Sequence, residues 1–296
     1  MKKSILLLII LKITIFADLK VIDSILSLPE KDIDIGLVCL LLSKDIFPEV
    51  DIQQGLNLFN NMAKGVNLLL NASNDKMPLP DKRIGSLNTF LFKPGPWNAV
   101  AKNNYMVFKY DESSVEKVEP KALFIPHLIY ERKGTCSTMP TLWYIIADRL
   151  NWPVKIVRLP GHLFVKYKGA SLENIEATAK GCFIPDSQYI KDMRVSNVAL
   201  KNNIYMKPLS KKEIISTLLV NNAYFYIKEA KDTLRAIKYY EKANKYDPKN
   251  AEAIRGIGIL KKDIALINKS KELGLTDYKY SDEFYKKRKE NLQKKE

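Results

Sequence analysis

The spacing of the apolar residues changes at Val154. Before it, stretches such as IDIGLVCLLLSKDIF and GLNLFNNMAKGVNLLL place apolar residues three and four positions apart, which predicts helices over residues 18–72. After it, VKIVR, HLFVKYKG and ENIEAT alternate with period two, which predicts short strands. Helical spacing returns beyond about residue 210. Helices that precede a small antiparallel sheet predict an α+β fold.

The positive charge of the chain is high but evenly spread. Its 296 residues carry a formal net charge of +15, and the lysines are distributed along the whole sequence. No nucleic-acid-binding motif accompanies them, so we predict no nucleic-acid partner. Binding to an anionic surface through this charge is a weaker hypothesis, and it predicts an affinity that falls steeply with added salt.

The first 17 residues, MKKSILLLIILKITIFA, resemble a secretory signal, with two lysines, an apolar run and a small residue, Ala17. We predict a periplasmic or secreted protein, with residues 1–17 as a signal peptide or an uncleaved anchor. The alternative is the first buried helix of a cytosolic protein. The apolar run is short for a membrane span, so no integral membrane domain is expected. Because the chain has three cysteines, at least one thiol is free or paired with another molecule.

The stretch RKGTCSTMPTLWYIIADR, residues 132–149, places a cysteine at a predicted helix start. Thr135 or Ser137 is a suitable N-cap, and Pro140 suits the first helical turn, so Cys136 lies at or just before the helix. Unpaired N–H groups and the helix dipole stabilise a negative charge there, which favours the nucleophilic thiolate form of a cysteine. The alternative is that Cys136 is a small buried apolar residue without a chemical role, as most free cysteines are.

A thiolate catalyst needs a base, and the chain has two histidines. His162 opens a predicted strand, and Glu176 lies on the next one. If these strands form a hairpin that turns near Gly169, His162 and Glu176 lie directly opposite each other. A carboxylate there orients the imidazole and stabilises its charged form, which predicts a triad of Cys136, His162 and Glu176. A one-residue change of register would put the two side chains on opposite faces.

The segment KGTCSTMPTLWYIIADRLNWPVKIVRLPGHLFVKY, followed by NIEAT, resembles the bacterial transglutaminase-like superfamily, a branch of the papain-like cysteine fold. It is similar to a subgroup that reads roughly G-N-C, S-M-P, an apolar helix, P-x-H-x-F-V-R-Y and N-x-E-x-T, and the likeness covers about residues 34–181. The resemblance implies that Cys136 is the nucleophile, His162 the base and Glu176 the acid. Thr135 stands where the subgroup often has Asn, and some members of the subgroup lack the cysteine.

The other reactive side chains are interpreted as structural. Cys39 lies in an apolar helical run, His127 lies in the apolar run FIPHLIY, and Cys182 is favoured as a filler residue over a resolving or regulatory thiol. The backbone N–H of Cys136 is the natural first donor to an oxyanion, and the candidate for the second is Trp97 or a polar residue in the loop before the helix. No metal-ligand spacing occurs, so no metal and no cofactor are expected.

A further pattern lies in the C-terminal helical region, in RAIKYYEKANKYDPKNAEAIRGIGIL. Ala236, Tyr240, Ala243 and Pro248 have the spacing of a closely packed helix pair that ends at a proline. This resembles the tetratricopeptide repeat, and a second repeat begins near Ile257. The resemblance implies either a surface for a protein partner or a brace for the preceding domain, and the small number of repeats favours the brace.

These features divide the chain into a signal peptide or anchor (1–17), a transglutaminase-like domain with a helical N-terminal part (18–208), tetratricopeptide-like helices (209–275) and a charged tail (276–296). The leading hypothesis is cysteine-dependent acyl transfer on peptide or protein amides in the cell envelope. Water as the acceptor gives a protease or amidase, and an amine gives a transglutaminase. The alternative is a non-catalytic, protein-binding scaffold. The reactivity of the Cys136 thiol distinguishes the two hypotheses, because only the enzyme requires a reactive thiolate.

Overall fold

The computed structural model describes residues 19–73, 76–102, 104–115 and 117–276. The predicted signal peptide or anchor, and all but the first residue of the predicted charged tail, lie outside these ranges. Among the described helices, none has both the length and the apolar character needed to cross a bilayer.

The described chain combines many helices with small sheets, which is the α+β class predicted from the sequence. The helices are α1 Leu19–Leu26, α2 Ile35–Lys44, α3 Ile52–Asn71, α4 Leu79–Phe92, α5 Ile125–Glu131, α6 Thr138–Arg149, α7 Asp186–Asp192, α8 Asn197–Lys201, α9 Lys211–Phe225, α10 Thr233–Tyr246, α11 Ala251–Lys261 and α12 Ile264–Glu272. The strands are β1 Ala99–Ala101, β2 Asn104–Tyr105, β3 Lys109–Tyr110, β4 Lys133–Gly134, β5 Val154–Leu159, β6 His162–Tyr167 and β7 Asn174–Ile175.

The helices predicted over residues 18–72 are confirmed as α1, α2 and α3. Two aspartates begin α2 and α3, because Asp34 accepts a hydrogen bond from the Leu37 N–H at 3.1 Å and Asp51 accepts one from the Gln54 N–H at 2.9 Å. Nearly the whole of α2 is buried, since α3, α5, α6 and α9 pack around it. This apolar helix is therefore the centre of the main core.

The predicted antiparallel sheet consists of β5, β6 and β7 in that order. β5 and β6 form a tight hairpin in which Leu159 pairs with His162. Between β6 and β7, however, Lys166 pairs with Asn174, and extending that register places Glu176 opposite Phe164. The predicted direct pairing of His162 with Glu176 is therefore wrong by two residues. A shift of two keeps the same face of the strand, so both side chains still lie on one side of the sheet.

The four C-terminal helices α9–α12 pack one upon the next in chain order. α9 also packs on α2, where Asn222 Nδ2 donates to the Leu42 carbonyl at 2.9 Å. One apolar core extends from Ile22 in α1 to Ile257 in α11. The tetratricopeptide-like character of these helices and a domain boundary between residues 208 and 209 stay predictions.

A buried ion pair joins the sheet to the C-terminal helices. Arg158 of β5 donates to Asp247 Oδ2 at 2.8 Å, and the two side chains are only 6% and 4% exposed. Its other nitrogens donate to Thr217 Oγ1 and to the Ile204 carbonyl, both at 3.3 Å. Because each of its three guanidinium nitrogens donates a hydrogen bond, Arg158 holds β5 against the connection between α10 and α11.

We expect Asp247→Ala to lower the free energy of unfolding by about 3–5 kcal/mol, because it leaves the buried Arg158 charge without its partner. Glu241→Ala is the matched control, since Glu241 and Lys261 form an exposed ion pair between α10 and α11. The control should cost less than about 1 kcal/mol. Urea unfolding of both variants checks this, and equal losses would contradict the importance of the buried pair.

Candidate active site

Cys136 lies two residues before the first residue of α6. Thr135 and Thr138 cap this helix reciprocally: the Thr138 N–H donates to Thr135 Oγ1 at 3.3 Å, and the Thr135 N–H donates to Thr138 Oγ1 at 2.9 Å. Of the two candidate N-caps, Thr135 therefore acts as the cap, while the side chain of Ser137 makes no capping hydrogen bond. The loop is fixed, but the Cys136 side chain stays partly exposed.

The loop that carries Cys136 is hydrogen-bonded to the turn between β5 and β6. The Leu163 N–H donates to the Cys136 carbonyl at 3.3 Å, and Cys136 Sγ donates to the Gly161 carbonyl at 3.2 Å. Gly161 has a φ of 58°, a conformation that glycine adopts at little cost, and it directly precedes His162. The turn therefore places the thiol beside the first residue of β6.

His162 and Glu176 form a buried hydrogen-bonded pair. His162 Nε2 lies 2.7 Å from Glu176 Oε2, and the two side chains are 3% and 4% exposed. Within the described part of the chain, His162 Nδ1 is buried and has no hydrogen-bond partner. With Nε2 held by the carboxylate, Nδ1 is the ring nitrogen left to exchange a proton with a reacting group.

The Glu176 carboxylate is saturated with hydrogen bonds. Besides His162, Oε2 accepts from the Tyr189 hydroxyl at 2.8 Å. Oε1 accepts from the Thr178 N–H at 3.0 Å and from the Thr178 hydroxyl at 2.6 Å. A buried carboxylate that accepts several donors is stabilised in its ionised form. Glu176 is thus a fixed, charged partner for the imidazole.

The pKa values of the pair are shifted apart. Burial lowers the pKa of His162, but the charge of Glu176 and its hydrogen bond to the ring outweigh that effect, so the net shift is upward. Burial raises the pKa of Glu176, but the charge of His162 and the donors His162, Thr178 and Tyr189 outweigh it, so the net shift is downward. Both shifts favour the charged forms of the pair, an imidazolium beside a carboxylate.

Two residues of this site were not assigned a role from the sequence. Thr178 is the last residue of the NIEAT pattern, so its position was visible in the sequence although its function was not. Tyr189 lies in α7, and its ring stacks on Phe164 with the ring centres 4.3 Å apart. No local pattern indicates Tyr189, because its contact with Glu176 depends on how α7 folds back on the sheet.

The remaining histidine and cysteines lie away from the triad side chains. His127 is half-buried in α5, where burial lowers its pKa. Cys39 is buried in α2, and burial raises the pKa of its thiol well above the usual range. Cys182 is exposed, and it touches the site through its backbone, since its carbonyl accepts from the Glu176 N–H at 2.8 Å.

Cys136 and His162 line a cleft of ≈ 460 Å³. The opposite wall consists of side chains from α9, α10 and α11. Trp97, the candidate second oxyanion donor, is not among the described residues that line this cleft, and its ring lies against Gly95 instead. Its indole N–H is buried and has no hydrogen-bond partner among the described residues, and a role as the second donor stays a prediction. No group of three or more acidic, histidine or cysteine side chains able to hold a metal ion occurs among the described residues.

A partly exposed thiol beside a buried imidazole–carboxylate pair is the arrangement of a cysteine nucleophile with its base. A family model described as the transglutaminase-like superfamily matches residues 71–220, half of the chain, and the matched range includes Cys136, His162 and Glu176. The chain belongs to the transglutaminase-like superfamily. No curated protein and no solved structure matches the chain.

We expect Glu176→Gln to lower the alkylation rate of Cys136 by iodoacetamide at pH 6 by about tenfold or more, because the imidazolium loses the charge that stabilises it. The background is Cys182→Ser, since Cys182 is exposed whereas Cys39 is buried. Glu173→Gln is the matched control on the same hairpin, where Glu173 accepts from the Gly169 N–H. An unchanged rate in Glu176→Gln would contradict the charge pairing.

We expect the stability that Glu176 contributes to depend on pH. Because its pKa is lower in the folded protein than in the unfolded chain, this stability is present above about pH 4.3 and is lost as the pH falls through the folded value. Glu176→Gln should therefore cost about 3 kcal/mol at pH 7 and progressively less below pH ~4. Urea unfolding of both proteins between pH 7 and 3 measures this, and a difference that does not change with pH would contradict a lowered pKa of Glu176 in the folded protein.

Proposed function

We propose that this protein is a cysteine-dependent acyl-transfer enzyme that acts on peptide or protein amides. The observation that carries the proposal is the buried His162–Glu176 pair, with its 2.7 Å hydrogen bond, next to a partly exposed thiol at a helix start. Burying this pair costs free energy of desolvation, and a site that accepts the cost beside a reactive thiol is suited to proton transfer. Membership of the transglutaminase-like superfamily supports the same chemistry.

In the acylation step, the Cys136 thiolate attacks the amide carbonyl carbon and forms a tetrahedral intermediate. Among the hydrogen bonds of the described residues, the Cys136 N–H has no backbone acceptor, so it is available to the oxyanion. The imidazolium of His162 gives its proton to the leaving amine, the C–N bond breaks, and a thioester with Cys136 remains. Glu176 keeps the imidazole in one orientation throughout and stabilises its charged form.

In the deacylation step, His162 removes a proton from the acceptor as the acceptor attacks the thioester. Water releases a carboxylic acid, and an amine releases a new amide. In either case the C–S bond of the thioester breaks, the Cys136 thiolate leaves, and His162 is again an imidazolium. We favour hydrolysis, because water is always present at the partly exposed thiol. The compartment is proposed to be the cell envelope on the pattern of residues 1–17 alone.

We expect wild-type protein mixed with p-nitrophenyl acetate to release p-nitrophenol in a burst equal to the enzyme concentration, because an activated ester acylates a reactive thiol without a specific substrate. Cys136→Ala should abolish the burst, and His162→Ala should slow it by about 100-fold or more. Stopped-flow absorbance and intact mass of the acetylated protein report the reaction.

The matched controls for this experiment are His127→Ala and Cys182→Ser, which alter the other histidine and the exposed thiol. Both should keep the wild-type burst. A wild-type protein that is not acetylated at Cys136 would contradict the proposal and favour the non-catalytic scaffold.

A further inference from the structure

The second wall of the cleft comes from distant parts of the chain. Side chains of α9, α10 and α11 line it, among them Tyr240 and Ile259. α9 also contacts the Cys136 loop directly, because Asn221 Nδ2 donates to Ser137 Oγ at 3.0 Å. The C-terminal helices are therefore part of the candidate site itself and do more than support it.

Two charged groups in the lining of the cleft interact with other parts of the protein. Arg158 is paired with Asp247 at 2.8 Å. Burial raises the pKa of Glu252, and the nearby charges of Arg158 and Arg255 oppose that shift, as does the Gly161 N–H. Arg158 and Glu252 are therefore engaged within the protein before a substrate binds.

The rest of the cleft surface is mostly apolar. Leu123, Leu159, Val220 and Ile259 supply aliphatic side chains to it. A volume of ≈ 460 Å³ lies within the range of about 300–1,000 Å³ that is usual for ligand sites, and such sites are typically apolar with a few polar groups. The cleft has room for one large side chain and the backbone that flanks it.

The shape of the cleft depends on a glycine. A Cβ atom on Gly256 would lie 2.5 Å from Cζ of Tyr240, so the Tyr240 ring rests directly on the backbone of α11. The ring is thereby held back against the helix and is only 8% exposed. With any larger residue at position 256, the ring would have to move away from the helix. Gly256 thus keeps an aromatic wall in place without filling the cleft.

We propose that this cleft binds a bulky apolar side chain of the acyl donor, on the residue whose carbonyl Cys136 attacks. The inference rests on the proposed function and adds the substrate class to it. Cys136 lies in the lining of the cleft, so the side chain nearest to the attacked carbonyl is the one that the cleft receives. The apolar wall from α9 and α11 favours leucine or phenylalanine there over a charged residue.

The test uses the full chain with p-nitrophenyl esters of N-acetylphenylalanine, N-acetylleucine, N-acetylaspartate and N-acetyllysine, and with p-nitrophenyl acetate as the reference without a side chain. Wild-type kcat/KM is expected to be at least about tenfold higher for the two apolar esters than for the two charged esters. Intact mass confirms that each ester acylates Cys136.

The test variant is Ile259→Asp, and its matched control is Ile264→Asp. Both isoleucines are exposed, by 52% and 71%, but Ile259 lines the cleft whereas Ile264 begins α12. Ile259→Asp should lower the ratio of kcat/KM for the phenylalanine ester to kcat/KM for p-nitrophenyl acetate about tenfold, and Ile264→Asp should leave that ratio unchanged. Thermal unfolding verifies that both variants fold.

Two results would overturn the proposed specificity: equal wild-type rates for apolar and charged esters, or an apolar preference that survives in Ile259→Asp. Either result leaves acetate acylation of Cys136, and so the proposed function, intact. A wild-type protein that no ester acylates, acetate included, would overturn the proposed function and the specificity together.

Discussion

The structure depends most on the burial of one carboxylate. An ionised carboxylate away from water is costly unless every lone pair finds a donor. Glu176 meets that condition with the His162 ring, the hydroxyl and N–H of Thr178, and the Tyr189 hydroxyl. To supply these donors, β6, the turn after β7 and α7 must all converge on one point. The geometry of the side of the cleft that holds His162 is therefore a consequence of satisfying Glu176.

The register of the sheet explains why the contact between His162 and Glu176 could be predicted although one step of the reasoning was wrong. The strands and the hairpin follow from a period-two pattern, which is a local property of the sequence. The exact register depends on the turn and on packing, and it differs from the prediction by two residues. Because side chains alternate between faces with the same period, His162 and Glu176 still share a face and meet diagonally.

The contacts of the site that were not predicted are those between residues far apart in the sequence. Tyr189 reaches Glu176 only because α7 folds back over the sheet, and Asn221 reaches Ser137 from α9. No pattern within a short stretch of sequence encodes such contacts. The same reason applies to Trp97, which is a suitable donor by residue type but is not among the described residues that line the cleft. Residue type and spacing thus predict which residues are candidates for this site. Tertiary packing decides which other side chains contact them.

The ion pair between Arg158 and Asp247 has a consequence for the order in which the protein is made. A ribosome releases Cys136, His162 and Glu176 well before α10 and α11, which close the cleft. Domains generally fold as units, and the apolar core that begins at Ile22 includes residues of α10 and α11. Arg158 of β5 has its Asp247 partner only after α10 has been made. Synthesis of α10 and α11, and not of the site residues alone, therefore gives this cleft its full shape.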